Sequence, residues 1–228
     1  MTFLRRMTMK RLPLALCVII LAAAVAVNAA DDPKAKTKDW NKIYDSLLQR
    51  VKSYDSTVDF RDLRLTYAKT SRYNPYHDPG QGWRDSLAVG RQTENYDKMI
   101  KYGSAILDSN YVDLGSHMAL GYAYYRKGDT AKFEYERWIT KELVKSINLA
   151  GNGKRFESAY EVISVDEEHT MLGLMGLRII QQTLVTDNGH NYDRYELETP
   201  NGEQVILYFN VDIAINWVKN NPKMQKAG

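Results

Sequence analysis

Only one cysteine occurs among the 228 residues, and Cys17 lies inside an apolar N-terminal run rather than in the body of the chain. That excludes a disulfide framework and a thiol nucleophile for everything downstream, even in a compartment that permits disulfides. Histidine is scarce, four in all, and no H-E-x-x-H pair or other local ligand spacing accompanies it; no metal and no cofactor are expected. There is no G-x-S-x-G elbow. Gly151-Asn152-Gly153-Lys154 lacks the glycine spacing of a phosphate loop, and Arg155 replaces its hydroxyl residue, so it reads as a helix stop. Charge of one sign is also missing. Lys and Arg number 31 against 28 Asp and Glu, and four of the cations (Arg5, Arg6, Lys10, Arg11) lie within or before the N-terminal run, leaving 27 against 28 beyond it. An interspersed, near-neutral balance gives no footprint for nucleic acid. Apolar runs of any length are limited to Leu12–Val27, shorter than the roughly 20 residues of a membrane span.

What is present begins with that run. A basic segment, an apolar core and Val27-Asn28-Ala29 before a cut near Ala29 or Ala30 form a signal peptide over residues 1–29. A periplasmic or secreted protein is expected, with no stable membrane span after cleavage. Leu16 before Cys17 disfavours a lipoprotein signal, and Thr8 stands where a twin-arginine signal wants an aromatic residue. Met9 offers an alternative start with a shorter leader of the same kind. Residues 30–38, charged and aperiodic, read as a flexible tether.

Two regions follow, helical over 39–151 and α+β over 152–222. Asp39 caps a first helix whose apolar residues, Trp40, Tyr44, Leu47, Val51 and others, recur every three or four positions. A second is expected around Phe60–Tyr67, then a loop rich in Pro and Gly from Ser71 to Trp83. Helices are predicted again over about 94–108 and 113–127. After Gly128 the next is capped by Asp129 and closed by Gly151. The period then changes. Strands are predicted at Ala159–Ser164, Arg178–Thr186, Asn191–Leu197 and Glu203–Asn210, with a helix over Val165–Leu177 and a last helical turn at Ile213–Val218. Asp187-Asn188-Gly189 and Pro200-Asn201-Gly202 are hairpin turns. The expected class is α+β, an antiparallel helical half followed by a β-α-β-β-β half with a mainly antiparallel sheet.

Three groups of residues are candidates for function. Tyr73, Asn74, Tyr76, His77, Asp78 and Trp83 share the loop; its rings offer contact area to a sugar or an extended peptide, or fold back over the helical core. Asp166, Glu167, Glu168 and His169, with His190, are an alternative acid/base cluster. The competing account is local: Ser164 and Glu167 have capping-box spacing, which predicts Glu167 folded back on the backbone and Glu168 in solvent. Residues 117–135 form the third group. Leu120-Gly121-Tyr122-Ala123-Tyr124 followed by Gly128-Asp129 resembles the first helix and turn of a tetratricopeptide repeat, although His117 and Phe133 depart from it. An ordinary helical hairpin fits the same residues, and either presents a groove.

Tyr73-Asn74-Pro75-Tyr76, the Gly128-Asp129 turn, Val162-Ile163-Ser164-Val165-Asp166-Glu167-Glu168, Gly189-His190-Asn191-Tyr192-Asp193 and Leu207-Tyr208-Phe209-Asn210-Val211-Asp212 occur in this order. Over roughly 55–218 the chain resembles the family of domains of unknown function numbered 4919 (DUF4919). The resemblance implies a small exported bacterial protein and transfers no catalytic residue. The leading expectation is a periplasmic binding or adaptor module whose partner is another envelope protein or a peptide. An envelope hydrolase or metal-dependent enzyme using His77, Asp78, Glu168, His169 or His190 is the rival. A structural component of an envelope assembly is a third reading.

Overall fold

Asp39 accepts from the Lys42 amide and starts α1 (Trp40–Lys52), as its position in the sequence predicts. The computed structural model describes residues 38–76 and 82–221; the leader, nearly all of the tether, His77 and Asp78 lie outside the described residues. Asp59 caps α2 (Phe60–Tyr67), Asn95 caps α4 (Tyr96–Ser109), Asp113 caps α5 (Leu114–Lys127) and Asp129 caps α6 (Thr130–Asn148). Between α2 and α4 stands a helix that the sequence reading lacked, α3 (Trp83–Gln92). Its buried face is only Leu87 and Gly90, too sparse to show a period. Gly103 explains how closely α4 and α5 pack, because a Cβ there would meet Leu120 Cδ1 at 2.0 Å.

The β-rich part holds one four-stranded mixed sheet in the order β1-β4-β3-β2. Its strands are β1 (Tyr160–Glu161), β2 (Arg178–Asp187), β3 (His190–Glu198) and β4 (Gln204–Asn210). The last three form the expected antiparallel meander, with Asn188 at positive φ in the first hairpin turn. β1 pairs parallel to β4, Tyr160 opposite Phe209. The strand expected over Ala159–Ser164 is thus shortened to two residues. Val162 and Ile163 leave the sheet and are almost fully buried in the core, and Ser164 caps α7 (Val165–Leu174). The last helical turn is a full helix, α8 (Asp212–Asn220).

From Asp39 the described chain forms one compact unit. One core runs through it: Tyr44, Leu63, Ile139 and Leu143 from the helices meet Met171 of α7 and Tyr195 and Phe209 of the sheet. A smaller cluster, Leu87, Met99, Ile106, Ala119 and Ala123, joins α3, α4 and α5. No helix among the described residues is long and apolar enough to cross a membrane.

Candidate functional site

The end of α1 shapes the most accessible site. Tyr54 donates its amide to Val51 O at 2.9 Å and Asp55 donates to Arg50 O at 3.0 Å, the paired bonds of a Schellman turn. The residue at its centre is usually glycine, because φ is positive there. Here it is a tyrosine, at φ 61°. A bulky side chain in that region is an outlier and costs roughly 1–2 kcal/mol. Glu94 ends α3 in the same way. What the turn achieves at Tyr54 is placement. Its ring lies 5.7 Å from Trp138, nearly parallel, and 4.5 Å from Tyr135, yet stays 59% exposed.

Beside it runs a groove of about 430 Å³ whose lining includes Lys52, Tyr54, Tyr111, Tyr124, Lys132 and Tyr135. Its walls are fixed from behind. The hydroxyls of Tyr111 and Tyr135 share a hydrogen bond of 2.6 Å. His117, fully buried, faces Glu136 Oε2 at 2.5 Å through Nδ1 and Tyr111 O at 2.8 Å through Nε2. That brace joins α5, α6 and the 110–113 turn. Burial raises the Tyr111, Tyr124 and Tyr135 phenols above their ordinary range, so each presents a neutral ring. Lys52 and Lys132 place their ammonium groups 5.1 Å from the ring centres of Tyr111 and Tyr124.

The predicted acid/base cluster is gathered only in part: Asp166, Glu167 and His169 line one cleft, and Glu168 and His190 are not among its lining residues. Asp166 faces a polar cleft of about 410 Å³ between α3, α5 and α7, where Arg84 spans Asp113 (2.7 Å) and Asp166 (3.0 Å). Glu167 does fold back on the backbone, accepting from the Ile163 amide at 2.9 Å, and Ser164 Oγ accepts from the Glu167 amide at 3.3 Å. It is also the buried partner of Arg64, which grips it with Nε at 2.8 Å and Nη2 at 2.6 Å. His190, the first residue of β3, pairs at 2.6 Å with Asp212, the first residue of α8. Partial burial works to raise that carboxyl, but His190 and the amides of Asn191 outweigh it and leave it low.

Glu168 is the correction. It is expected in solvent and is fully buried, because α7 lies between the sheet and the helical layer and buries two sides. Tyr195 donates to Glu168 Oε2 at 2.8 Å. Oε1 has no hydrogen-bond partner among the described residues, and the Asp193 carboxyl is near enough for its charge to disfavour ionisation of Glu168. Burial first, then the Asp193 charge, push Glu168 up to about 9. His169 lines the polar cleft and turns its ring edge-on to Tyr195, 6.3 Å away. Glu168 and His169 share Tyr195 as a neighbour.

The loop also divides. Tyr73 is a core residue rather than part of an open surface: its hydroxyl donates to Ile163 O at 2.5 Å and its ring meets Tyr67 and Trp217 edge-on. Asn74 Oδ1 accepts from the Tyr76 amide, and Trp83 packs half-buried on the Leu87–Met99 cluster. Tyr76 keeps an exposed ring, its phenol raised by burial and by Asp193 and Glu168. The tyrosine groove itself is not assembled by sequence reading. Tyr54, Tyr124 and Tyr135 fall in helical patterns there, and nothing in Lys52-Ser53-Tyr54-Asp55 signals a left-handed turn without glycine. The described residues contain no group of three or more potential metal ligands.

The profile of the family described as domain of unknown function DUF4919 matches residues 32–219. Comparison with curated proteins and with solved structures finds no match to the chain.

Proposed function

We propose, from the premise that this chain belongs to the DUF4919 family, that it is an exported binding or adaptor module which recognises a polypeptide. The observation that carries this reading is Tyr54. A strained backbone turn holds its ring out over a braced, tyrosine-lined groove, which is an arrangement for contact rather than for packing. The acids of the cluster do not favour an enzyme: Glu168 is buried against Tyr195, Glu167 is buried against Arg64, and the exposed Asp166 pairs with Arg84. A photocrosslinking residue in place of Tyr54, introduced in the producing cell, is expected to give a defined polypeptide adduct. The same residue in place of the exposed Leu149, outside the groove, is expected to give none. No adduct at 54, or the same adducts at both positions, would refute the reading.

A further inference from the structure

We infer that the occupant of the tyrosine groove is a proline-rich segment in the polyproline II conformation; the inference rests on the groove being the recognition surface. Such a segment has a particular chemistry. Proline carries no N–H, and a polyproline II chain makes no internal hydrogen bonds, so it brings apolar rings and carbonyl acceptors but almost no donors. The groove is the complement. Its exposed aromatic ring is that of Tyr54, with the half-buried rings of Tyr124 and Tyr135 beside it, and flat rings are what pyrrolidines dock against. Its cationic groups are donors only, the ammonium groups of Lys52 and of Lys132, the latter also paired with Asp129 at 3.0 Å, and the Ser104 hydroxyl can donate as well as accept.

Several of the acceptors are already engaged. Glu136 is held by His117, and the hydroxyls of Tyr111 and Tyr135 are held by each other. Only Asp108 remains among the lining carboxylates. A sugar, whose hydroxyls need donors and acceptors side by side, is poorly served by this set. A stiff ligand also loses little freedom on binding, and the braced walls lose little either.

The test uses the chain without its leader and a fluorescein-labelled octaproline peptide, with a labelled Gly-Ser octamer as control, read by fluorescence anisotropy. Octaproline is expected to bind and the control not to. Tyr54→Gly keeps the left-handed turn, which glycine adopts freely, while removing the docking face. It is expected to weaken octaproline at least tenfold with an unchanged or higher urea midpoint. Lys52→Gln should weaken it several-fold. Equal binding of the two peptides, no octaproline binding at millimolar concentration, or full affinity in Tyr54→Gly would overturn the inference. So would binding of an N-acetylglucosamine oligomer in octaproline's place. If octaproline fails while the crosslinker at 54 still captures a polypeptide, the ligand class is wrong and the adaptor reading survives. If both fail, both fall.

Discussion

Replacing Glu168 by glutamine should make the protein more stable, and by an amount that grows with pH. In the folded chain Glu168 keeps its proton until about 9, against an ordinary value of 4.5. In the unfolded chain it is ionised at neutral pH. Folding at pH 7 therefore takes up a proton against a gap of about 2.5 pH units, a cost of about 3 kcal/mol at roughly 1.4 kcal/mol per unit. The sign follows from proton binding. Between the unfolded and folded values the native state holds the proton and the unfolded state does not, so stability falls as pH rises through that window. Glutamine reproduces the neutral acid: its oxygen can accept from Tyr195 as Glu168 Oε2 does, with no proton to take up. Urea denaturation of both proteins at pH 5, 7 and 9, followed by tryptophan fluorescence, measures the difference. The gain should be small at pH 5, up to about 3 kcal/mol at pH 7, and larger at pH 9. A gain that does not change with pH, or a loss at pH 9, would show that Glu168 is not held protonated in the folded chain.

Arg64→Ala should destabilise by about 3–5 kcal/mol in the same assay, because it leaves Glu167 as an uncompensated buried charge; the double variant Arg64→Met, Glu167→Met should recover most of the loss. N-terminal sequencing of the protein recovered from outside the cytoplasm should begin at or next to Ala30, and an intact Met1 on that material would refute export by a cleaved leader.

Where apolar residues lie on one side of an element, the sequence shows the element. The stripes of α1 and α6 and the alternation of Val205, Leu207 and Phe209 in β4 are of this kind, and their caps and turns follow local rules. Elements buried on two sides, or hardly at all, do not announce themselves. α7 presents Glu167 and Glu168 to the interior as well as Met171 and Leu172, so its first turn looks like a solvent-facing cap from sequence. Whether a carboxylate is buried depends on what stands opposite, and Arg64 and Tyr195 are remote in the chain. The groove was hidden for the same reason. Its walls come from the end of α1, from α4 and α5, and from α6, and the turn that aims Tyr54 departs from the glycine that would have marked it.

The parallel pairing of Tyr160 with Phe209 has a consequence for how this protein is made. Two-residue β1 has no partner until β4 has been synthesised, and β4 closes over apolar side chains contributed by helices made more than a hundred residues earlier. The helices that feed the large core, α1, α2, α5 and α6 above all, therefore emerge from the ribosome with apolar side chains that the sheet has still to cover, whereas α3, α4 and α5 can bury their own cluster earlier. Late docking of this sort delays completion of the native state until nearly the whole chain is available. A truncation anywhere before Asn210 should thus yield a sticky, protease-sensitive fragment rather than a smaller working domain.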